Sequence, residues 1–181
     1  MNRTRIETFD FTWNVVTGCY GPGGTASKPA RCFYCYAQRF AARGMGEYGQ
    51  YIKEQRFNPR FFSERLTRPL KVKKPSRIFV SSMADLFGNW VPKEWIEKVL
   101  EVTALAPQHT FFFLTKQPWN MAKYRFPDNA WAGISVTNES QFGNLADLGD
   151  IWVKRRFVSF EPLLGYTRPD LRYVDWAVIG A

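Results

Sequence analysis

The chain has 181 residues, of which 45% are hydrophobic and 17% aromatic, so it can bury a sizeable core and is predicted to fold as a single domain over residues 1–181. Its net charge of +9 and pI of about 9.6 are compatible with a polyanionic partner but do not identify one. No apolar run reaches the ~18 residues of a membrane span, and residues 1–7 lack the apolar stretch of a signal peptide, so we expect a cytoplasmic protein without a membrane partner.

The first predicted strand lies around residues 13–16 and leads into a Cys-rich loop, residues 19–35, which holds all the cysteines of the chain: Cys19, Cys32 and Cys35. Three thiols cannot all pair as internal disulfides, whereas three thiolates suit a metal or iron–sulfur centre with one open coordination position. Residues 20–30 are dense in Gly and Pro, which predicts a loop that folds back and brings Cys19 to the other two. Phe33 and Tyr34 are expected to shield the centre from water. A Cys-x-x-Cys turn also serves zinc knuckles and thioredoxin-like redox pairs.

A basic and aromatic connection, residues 38–76, follows the cysteines. The positive residues of this stretch and of the next strand's start are Arg39, Arg43, Lys53, Arg56, Arg60, Arg65, Arg68, Lys71, Lys73, Lys74 and Arg77. The aromatic residues between them are Phe40, Tyr48, Tyr51, Phe57, Phe61 and Phe62. Cations that neutralise phosphates and rings that stack on bases would make this basic region, residues 39–77, a nucleic-acid footprint. A solvated two-helix connection whose aromatic side chains pack inward explains the same composition.

Short apolar runs then alternate with helical segments. Strands are predicted at residues 77–83, 110–116, 131–137, 156–161 and 175–181. Helices are predicted between Pro92 and Pro107, after Pro118, and over residues 139–148. Near-continuous apolar character over so few residues is typical of strands buried on both faces of a parallel sheet.

These elements predict an α/β fold with βα units over residues 77–181. With the first strand they make six βα-like units, so a partial (β/α)6 barrel is the leading architecture and a doubly wound open sheet is the alternative. Because the last predicted strand coincides with the end of the sequence, we expect the barrel to be incomplete at the C-terminus.

Polar residues follow the predicted strands at their carboxyl ends. They are Ser81, Ser82, Asp85, Thr115, Lys116, Ser135, Thr137, Asn138, Ser159 and Glu161. In a barrel these ends form the active-site face, where Cys19 would join them. Helix caps and loop turns use the same residue types, so each residue taken singly also has a structural explanation. His109, the only histidine, precedes its strand and is expected to lie at the opposite end from the cysteines.

Several ordered strings in the chain resemble a phage and bacterial family of unknown function that is itself similar to radical S-adenosylmethionine (SAM) proteins. The strings are TWNVVTGC (residues 12–19), CFYCYA (32–37), RIFVSSMADLF (77–87), APQHT (106–110), LTK (114–116) and FVSFEPLLG (157–165). Members of this family often accompany a three-Cys-motif partner protein. The resemblance spans essentially the whole chain.

The resemblance implies a radical-SAM type of barrel with a [4Fe–4S] cluster held by Cys19, Cys32 and Cys35, and with SAM bound to the fourth iron. Reductive cleavage of SAM would yield methionine and a 5′-deoxyadenosyl radical, with flavodoxin or ferredoxin as the reductant. Tyr34 matches the aromatic position that approaches the adenine of SAM. Three further residues are candidates for holding the carboxylate, amino group or ribose of SAM, by their location at strand ends: Lys116, Ser135 and Glu161. The substrate would be a nucleic-acid base, in the cytoplasm of a bacterial host or phage-infected cell.

Two other functions compete with this one. A zinc-stabilised nucleic-acid-binding module would need a fourth ligand such as His109, Asp85 or water, because structural zinc sites are usually closed. A catalytically inactive partner of another phage protein is the third hypothesis.

Overall fold

The computed structural model describes residues 1–4, 6–43, 57–165 and 168–180. Part of the predicted basic connection, Tyr48, Tyr51, Lys53 and Arg56, lies outside the described residues, as does Ala181. The described strands are β1 (Asn2–Arg3), β2 (Phe11–Trp13), β3 (Val16–Thr17), β4 (Arg60–Phe61), β5 (Arg77–Val80), β6 (Thr110–Thr115), β7 (Ala130–Ser135), β8 (Arg155–Phe160) and β9 (Trp176–Ile179). The α-helices are α1 (Tyr36–Ala42), α2 (Lys93–Ala104), α3 (Pro118–Met121) and α4 (Gly143–Asp147).

Seven of the described strands form one sheet in the order β1-β2-β5-β6-β7-β8-β9. All neighbours from β2 to β9 run parallel, while β1 pairs antiparallel with β2 at one edge. The prediction of an α/β fold with a mostly parallel sheet is therefore confirmed. The first predicted strand, around residues 13–16, is divided in the structure, since Trp13 ends β2 and Val16 begins β3. Neither β1 nor β4, the antiparallel partner of β3, was predicted.

The two faces of the sheet bury different side chains, because successive residues of a strand point to opposite faces. One face packs on α2, whose Ile96 and Val99 belong to the same buried core as Val80, Phe113 and Ile134. The other face carries contacting aromatic rings, with centroids between 5.6 and 6.1 Å apart. These rings belong to Phe112, Trp131, Phe157 and Trp176. Burial on both faces explains why the strands have nearly continuous apolar sequences.

The predicted helix after Pro92 is confirmed as α2, and the one after Pro118 as α3. The prediction of one helix over residues 139–148 is wrong, because this stretch consists of a 3-10 turn (Glu139–Gln141), α4 and a second 3-10 turn (Leu148–Asp150). Asn138 starts the first turn by accepting a hydrogen bond from the backbone N–H of Ser140 at 3.0 Å. Leu145 and Leu148 are nevertheless both buried in the core.

The two-helix alternative for the connection stays a prediction, because α1 supplies a helix at its start and residues 44–56 lie outside the described residues. After α1, residues 57–76 form β4 and two 3-10 turns, Ser63–Arg65 and Pro69–Lys71, the second of which begins at a proline. The expected inward packing of aromatic side chains holds for Phe57 and Phe62, which are buried. Within the part of the chain that the structure describes, no helix has the length and apolar character needed to cross a bilayer.

Candidate functional site

The Cys-rich loop folds back on itself, as its Gly and Pro content predicted. The backbone N–H of Ala30 donates to the carbonyl of Tyr20 at 2.7 Å, and Nε of Arg31 donates to the carbonyl of Cys19 at 2.9 Å. The fold-back requires glycine at Gly21, where φ is +85° and an added Cβ would lie 2.0 Å from the carbonyl oxygen of Ala30. The backbone of Cys19 thus lies beside Arg31, the residue that precedes Cys32.

The start of this loop is fixed against the loop that follows β5. Gly18 donates its N–H to the carbonyl of Met83 at 2.9 Å and has a φ of +85°. An added Cβ at Gly18 would lie 2.1 Å from the carbonyl oxygen of Asn58, so only glycine permits this approach. Cys19 in turn donates its N–H to the carbonyl of Phe57 at 3.0 Å. These contacts hold Cys19 at the carboxyl ends of β2 and β5.

Cys32 and Cys35 belong to one turn that leads into α1. The N–H of Cys35 donates to the carbonyl of Cys32 at 3.0 Å, and Sγ of Cys35 accepts from the N–H of Gln38 at 3.3 Å as the N-cap of α1. Cys19 and Cys35 are partly exposed and pack on the same apolar cluster. This cluster consists of Ala37, Ala41, Phe57, Phe62 and Met83.

The thiol of Cys19 interacts electrostatically with a carboxylate and a second thiol. Burial, followed by the negative charge of Asp85, raises the pKa of Cys19 to about 12, and Cys35 contributes in the same direction. The N–H of Gly21, which donates to Sγ at 3.2 Å, opposes this rise. Asp85 and Cys35 therefore lie close enough to Cys19 to disfavour its thiolate.

Asp85 connects the thiol to the end of β6. Its carboxylate accepts hydrogen bonds from the Thr115 hydroxyl at 2.7 Å, the Lys116 N–H at 3.0 Å and the Phe87 N–H at 3.1 Å. Desolvation nevertheless raises the pKa of Asp85, because the carboxylate has lost most of its contact with water. This residue joins two strand ends that the sequence analysis grouped only by position.

Cys19, Cys32 and Cys35 offer thiol sulfurs, the type of ligand that iron–sulfur centres use. The three thiols are free, partly exposed and carried by one folded-back loop. Within the described residues, no group of three or more His, Cys, Asp and Glu side chains converges on a point where it could hold a single metal ion. A cluster makes a different demand, since each thiolate binds its own iron atom and the sulfurs lie further apart. Convergence on one ion is therefore not the arrangement that a cluster would require.

Tyr34 reaches from the Cys-rich loop to the ends of β6 and β7. Its ring centroid lies 5.8 Å from Nζ of Lys116. Burial raises the pKa of Tyr34 to about 12, opposed by hydrogen bonding with Thr137 and raised further by Cys32. The structure thus brings Tyr34 and Lys116 together. The expected shielding role is wrong for Phe33, which is 86% exposed because the turn between the cysteines directs it to solvent.

Ser135 and Glu161 lie on neighbouring strand ends. Ser135 is paired with Ser159 across β7 and β8, and the Ser159 hydroxyl donates to Oε2 of Glu161 at 3.2 Å. Ser135 is only 1% exposed, and its hydroxyl has no hydrogen-bond partner among the described residues. A buried hydroxyl left without a partner is costly, which makes it a candidate contact for a bound molecule.

Two residues that the sequence analysis did not select also contact this site. The Tyr36 hydroxyl donates to the carbonyl of Ser82. Oδ1 of Asn14 accepts from the Ser82 hydroxyl at 3.1 Å and from the Met83 N–H at 3.2 Å. A usable signal was present for Tyr36, which directly follows Cys35.

The described residues of the basic region lie towards both ends of the sheet. Lys71, Lys73 and Lys74 precede β5 at its amino end, whereas Arg39 and Arg43 follow the cysteines on and after α1. His109 also lies at the amino end, where Nε2 is 3.2 Å from the carbonyl of Pro69, as expected for a residue away from the cysteines. Only part of the basic stretch can therefore belong to the candidate site.

The parallel sheet, with a Cys-rich loop fixed at its carboxyl edge, defines an α/β protein whose site is built from loops that follow successive strands. The chain matches the family described as protein of unknown function (DUF5131) over residues 3–181, and it belongs to that family. No curated protein matches the sequence.

The fold is similar to that of spore photoproduct lyase. A complex of that enzyme with dinucleoside spore photoproduct is 12% identical, with a TM-score of 0.56 over 91% of this chain and 49% of the other. A double mutant with bound AdoMet and dinucleoside spore photoproduct is 12% identical, with a TM-score of 0.62 over 92% of this chain and 49% of the other. The chain thus spans about half the length of these structures. At this identity the likeness establishes the fold alone.

Proposed function

We propose that this protein is a radical SAM enzyme that holds a [4Fe–4S] cluster through Cys19, Cys32 and Cys35. The observation that carries the proposal is the seating of the Cys-rich loop at the carboxyl edge of a parallel sheet. There the Cys19 thiol interacts with Asp85 and the Tyr34 ring lies beside Lys116. Support also comes from the likeness to a fold that binds AdoMet in spore photoproduct lyase.

The side chains at the strand ends are suited to the polar groups of SAM. The Lys116 ammonium would pair with the SAM carboxylate, and the buried Ser135 hydroxyl would bond to the ribose or the amino group. Glu161 would accept from the ribose or amino group, and the Tyr34 ring would lie against the adenine. When bound, the cluster supplies the electron that cleaves SAM to methionine and a 5′-deoxyadenosyl radical. The residues of the chain bind and orient SAM and keep water from the reacting carbon.

The rest of the proposal concerns architecture and partners. We interpret the sheet as a partial (β/α)6 barrel of the radical-SAM type over one domain, with its aromatic face turned to the interior. The proposed substrate is a nucleic-acid base, supported by the net charge of +9 and by the dinucleoside bound in the similar structures. The proposal also includes a three-Cys-motif partner protein and a flavodoxin or ferredoxin reductant. It places the protein in the cytoplasm of a bacterial host or phage-infected cell.

Anaerobic purification tests the cluster directly. We expect brown protein with about four iron and four sulfide per chain, and cleavage of SAM after dithionite reduction, followed by mass spectrometry of 5′-deoxyadenosine. Alanine at Cys19, Cys32 or Cys35 should each abolish iron binding. Ser27→Ala is the matched control, because Ser27 is exposed in the same loop and its hydroxyl contacts only Thr25 among the contacts described. Stoichiometric zinc without iron would reject the proposal, and a full cluster in Cys19→Ala would reject this ligand set.

A further inference from the structure

Helix α1 has a buried alanine face and an exposed face of a different character. Ala37 and Ala41 are 6% and 1% exposed and pack next to the cysteines. The exposed face, at helical spacings of three and four residues, carries Tyr36, Arg39, Phe40 and Arg43. Aromatic rings and guanidinium groups therefore alternate along one side of α1 and its C-cap.

The aromatic rings of this face and of the turn that precedes α1 are open to solvent. Phe33 is 86%, Tyr36 58% and Phe40 39% exposed, and Phe33 lies in the turn between two cysteines. The hydroxyl of Tyr36 is anchored on the Ser82 carbonyl, so its ring is held in a fixed orientation. Three exposed aromatic rings in eight residues are more than scattered surface apolar residues explain, and they indicate a binding surface.

The charged residues of this segment all have one sign, although the carboxylate of Glu161 also acts on Tyr36 from the end of β8. Residues 28–43 contain four cations, Lys28, Arg31, Arg39 and Arg43, and no Asp or Glu. Arg31 is engaged in the fold through Cys19 and Asn58, whereas Arg39 and Arg43 are exposed. One guanidinium nitrogen of Arg39 donates to the Tyr34 carbonyl at 2.9 Å, which fixes the side chain and leaves further donors for a ligand.

We propose that Phe33 and the exposed face of α1 form a docking surface for single-stranded nucleic acid. The rings stack on successive bases, and Arg39 and Arg43 neutralise the adjoining phosphates. Aromatic rings that alternate with guanidinium groups fit this ligand better than a protein partner, which would require a contiguous apolar centre with charges at its rim. This inference rests on the proposed function, because the bound strand would lie beside the cysteines that are proposed to hold the cluster.

The chain offers a matched control at the opposite end of the sheet. Lys73 and Lys74 are exposed and precede β5, and so lie at the end remote from the cysteines. A binding surface defined by net charge alone would use these lysines as well as the arginines. A surface formed by Phe33 and α1 would not use these lysines.

Fluorescence anisotropy with a labelled oligothymidylate of about 15 nucleotides tests the proposal on anaerobically purified protein without SAM. We expect Phe33→Ala and Phe40→Ala each to weaken binding by about tenfold, and Phe33→Trp to retain it. The Arg39→Ala/Arg43→Ala double variant should lower the slope of log K against log salt by about 1.4, or 0.7 for each phosphate contact. Lys73→Ala/Lys74→Ala should leave affinity and slope unchanged. The same sequence as a duplex should bind more weakly.

The proposal is overturned if the oligonucleotide does not bind, if the lysine control loses as much affinity as the arginine variant, or if the duplex binds more tightly. It is also overturned if this surface binds only an acidic protein such as flavodoxin. Iron content and SAM cleavage are measured on the same wild-type preparation. A protein with a cluster that does not bind the strand refutes the docking surface alone, and one that binds the strand but lacks iron refutes the radical SAM function alone.

Discussion

Replacing Asp85 by asparagine should make the thiol of Cys19 more reactive in the metal-free protein. The pKa of Cys19 is raised from 9.0 to about 12, first by burial and then by the negative charge of Asp85. A shift of this size lowers the thiolate population at pH 8 by about a thousandfold. Since a thiolate of higher pKa is also a better nucleophile, with a Brønsted coefficient near 0.45, the alkylation rate should fall by only about fifty-fold.

The Asp85→Asn substitution removes the negative charge near Cys19 and leaves the burial of the thiol unchanged. If it lowers the pKa of Cys19 by about one unit, the same Brønsted relation predicts a rate three- to fourfold higher. The amide can still accept from the Thr115 hydroxyl, but its nitrogen cannot accept from the Lys116 N–H, so we expect a loss of about 1 kcal/mol in the free energy of unfolding. That loss is small enough for the variant to fold.

The assay is anaerobic alkylation by iodoacetamide at pH 7 to 9, with each cysteine quantified by peptide mass spectrometry. Asp128→Asn is the control, because the Asp128 side chain is 80% exposed and paired only with Lys154 among the contacts described. Cys19 that reacts in the folded protein as fast as in urea, or at an equal rate in wild type and Asp85→Asn, would refute the argument.

Three further outcomes follow from the same contacts. The pKa of Asp85 is raised above 3.8 in the folded state, so the native state holds the carboxyl proton more tightly than the unfolded state does. The free energy of unfolding should therefore fall, relative to Asp85→Asn, as pH rises from about 3.8 through the folded-state pKa. Urea titrations that show the opposite sign would contradict this. Gly18→Ala, which forces a Cβ against the Asn58 carbonyl at positive φ, should cost at least 1–3 kcal/mol in chemical denaturation, whereas an unchanged midpoint would disprove the strain. Ser135→Ala should leave stability equal or higher, since it removes an unpartnered buried hydroxyl, yet weaken SAM binding by about fivefold or more in equilibrium dialysis; unchanged SAM affinity would remove Ser135 from the site.

The parallel strands could be predicted because each is a short apolar run whose character follows from burial on both faces. The predicted run 110–116 corresponds to β6, Thr110–Thr115, to within one residue. The run 77–83 was extended too far, since β5 ends at Val80. Ser81 has a φ of +57° and begins a turn in which its carbonyl accepts from the Ala84 N–H, a conformation that its residue type does not signal.

The candidate site was predictable only in part. The fold-back of the Cys-rich loop follows from local Gly and Pro content, and grouping polar residues by strand ends placed Lys116 and Ser135 correctly at one edge. Contacts between residues far apart in the sequence could not be predicted from such local patterns. The bond from Tyr36 to Ser82 spans 46 residues, and the exposure of Phe33 depends on which way a turn faces. A periodic apolar pattern indicates which side of a helix or strand is buried, but not which other element packs against that side.

The five residues after β5, Ser81 to Asp85, determine how the cysteines meet the sheet. Gly18 bonds to the Met83 carbonyl just before the first cysteine, and Tyr36 bonds to the Ser82 carbonyl just after the last. Both contacts use backbone oxygens, and Asn14 holds the same segment through its Oδ1. None of these bonds requires a metal. The two ends of the Cys-rich loop are therefore positioned by the polypeptide itself. If the loop holds the proposed cluster, its assembly would have to order little beyond the thiols, and conformational entropy would reduce the affinity for the cluster less.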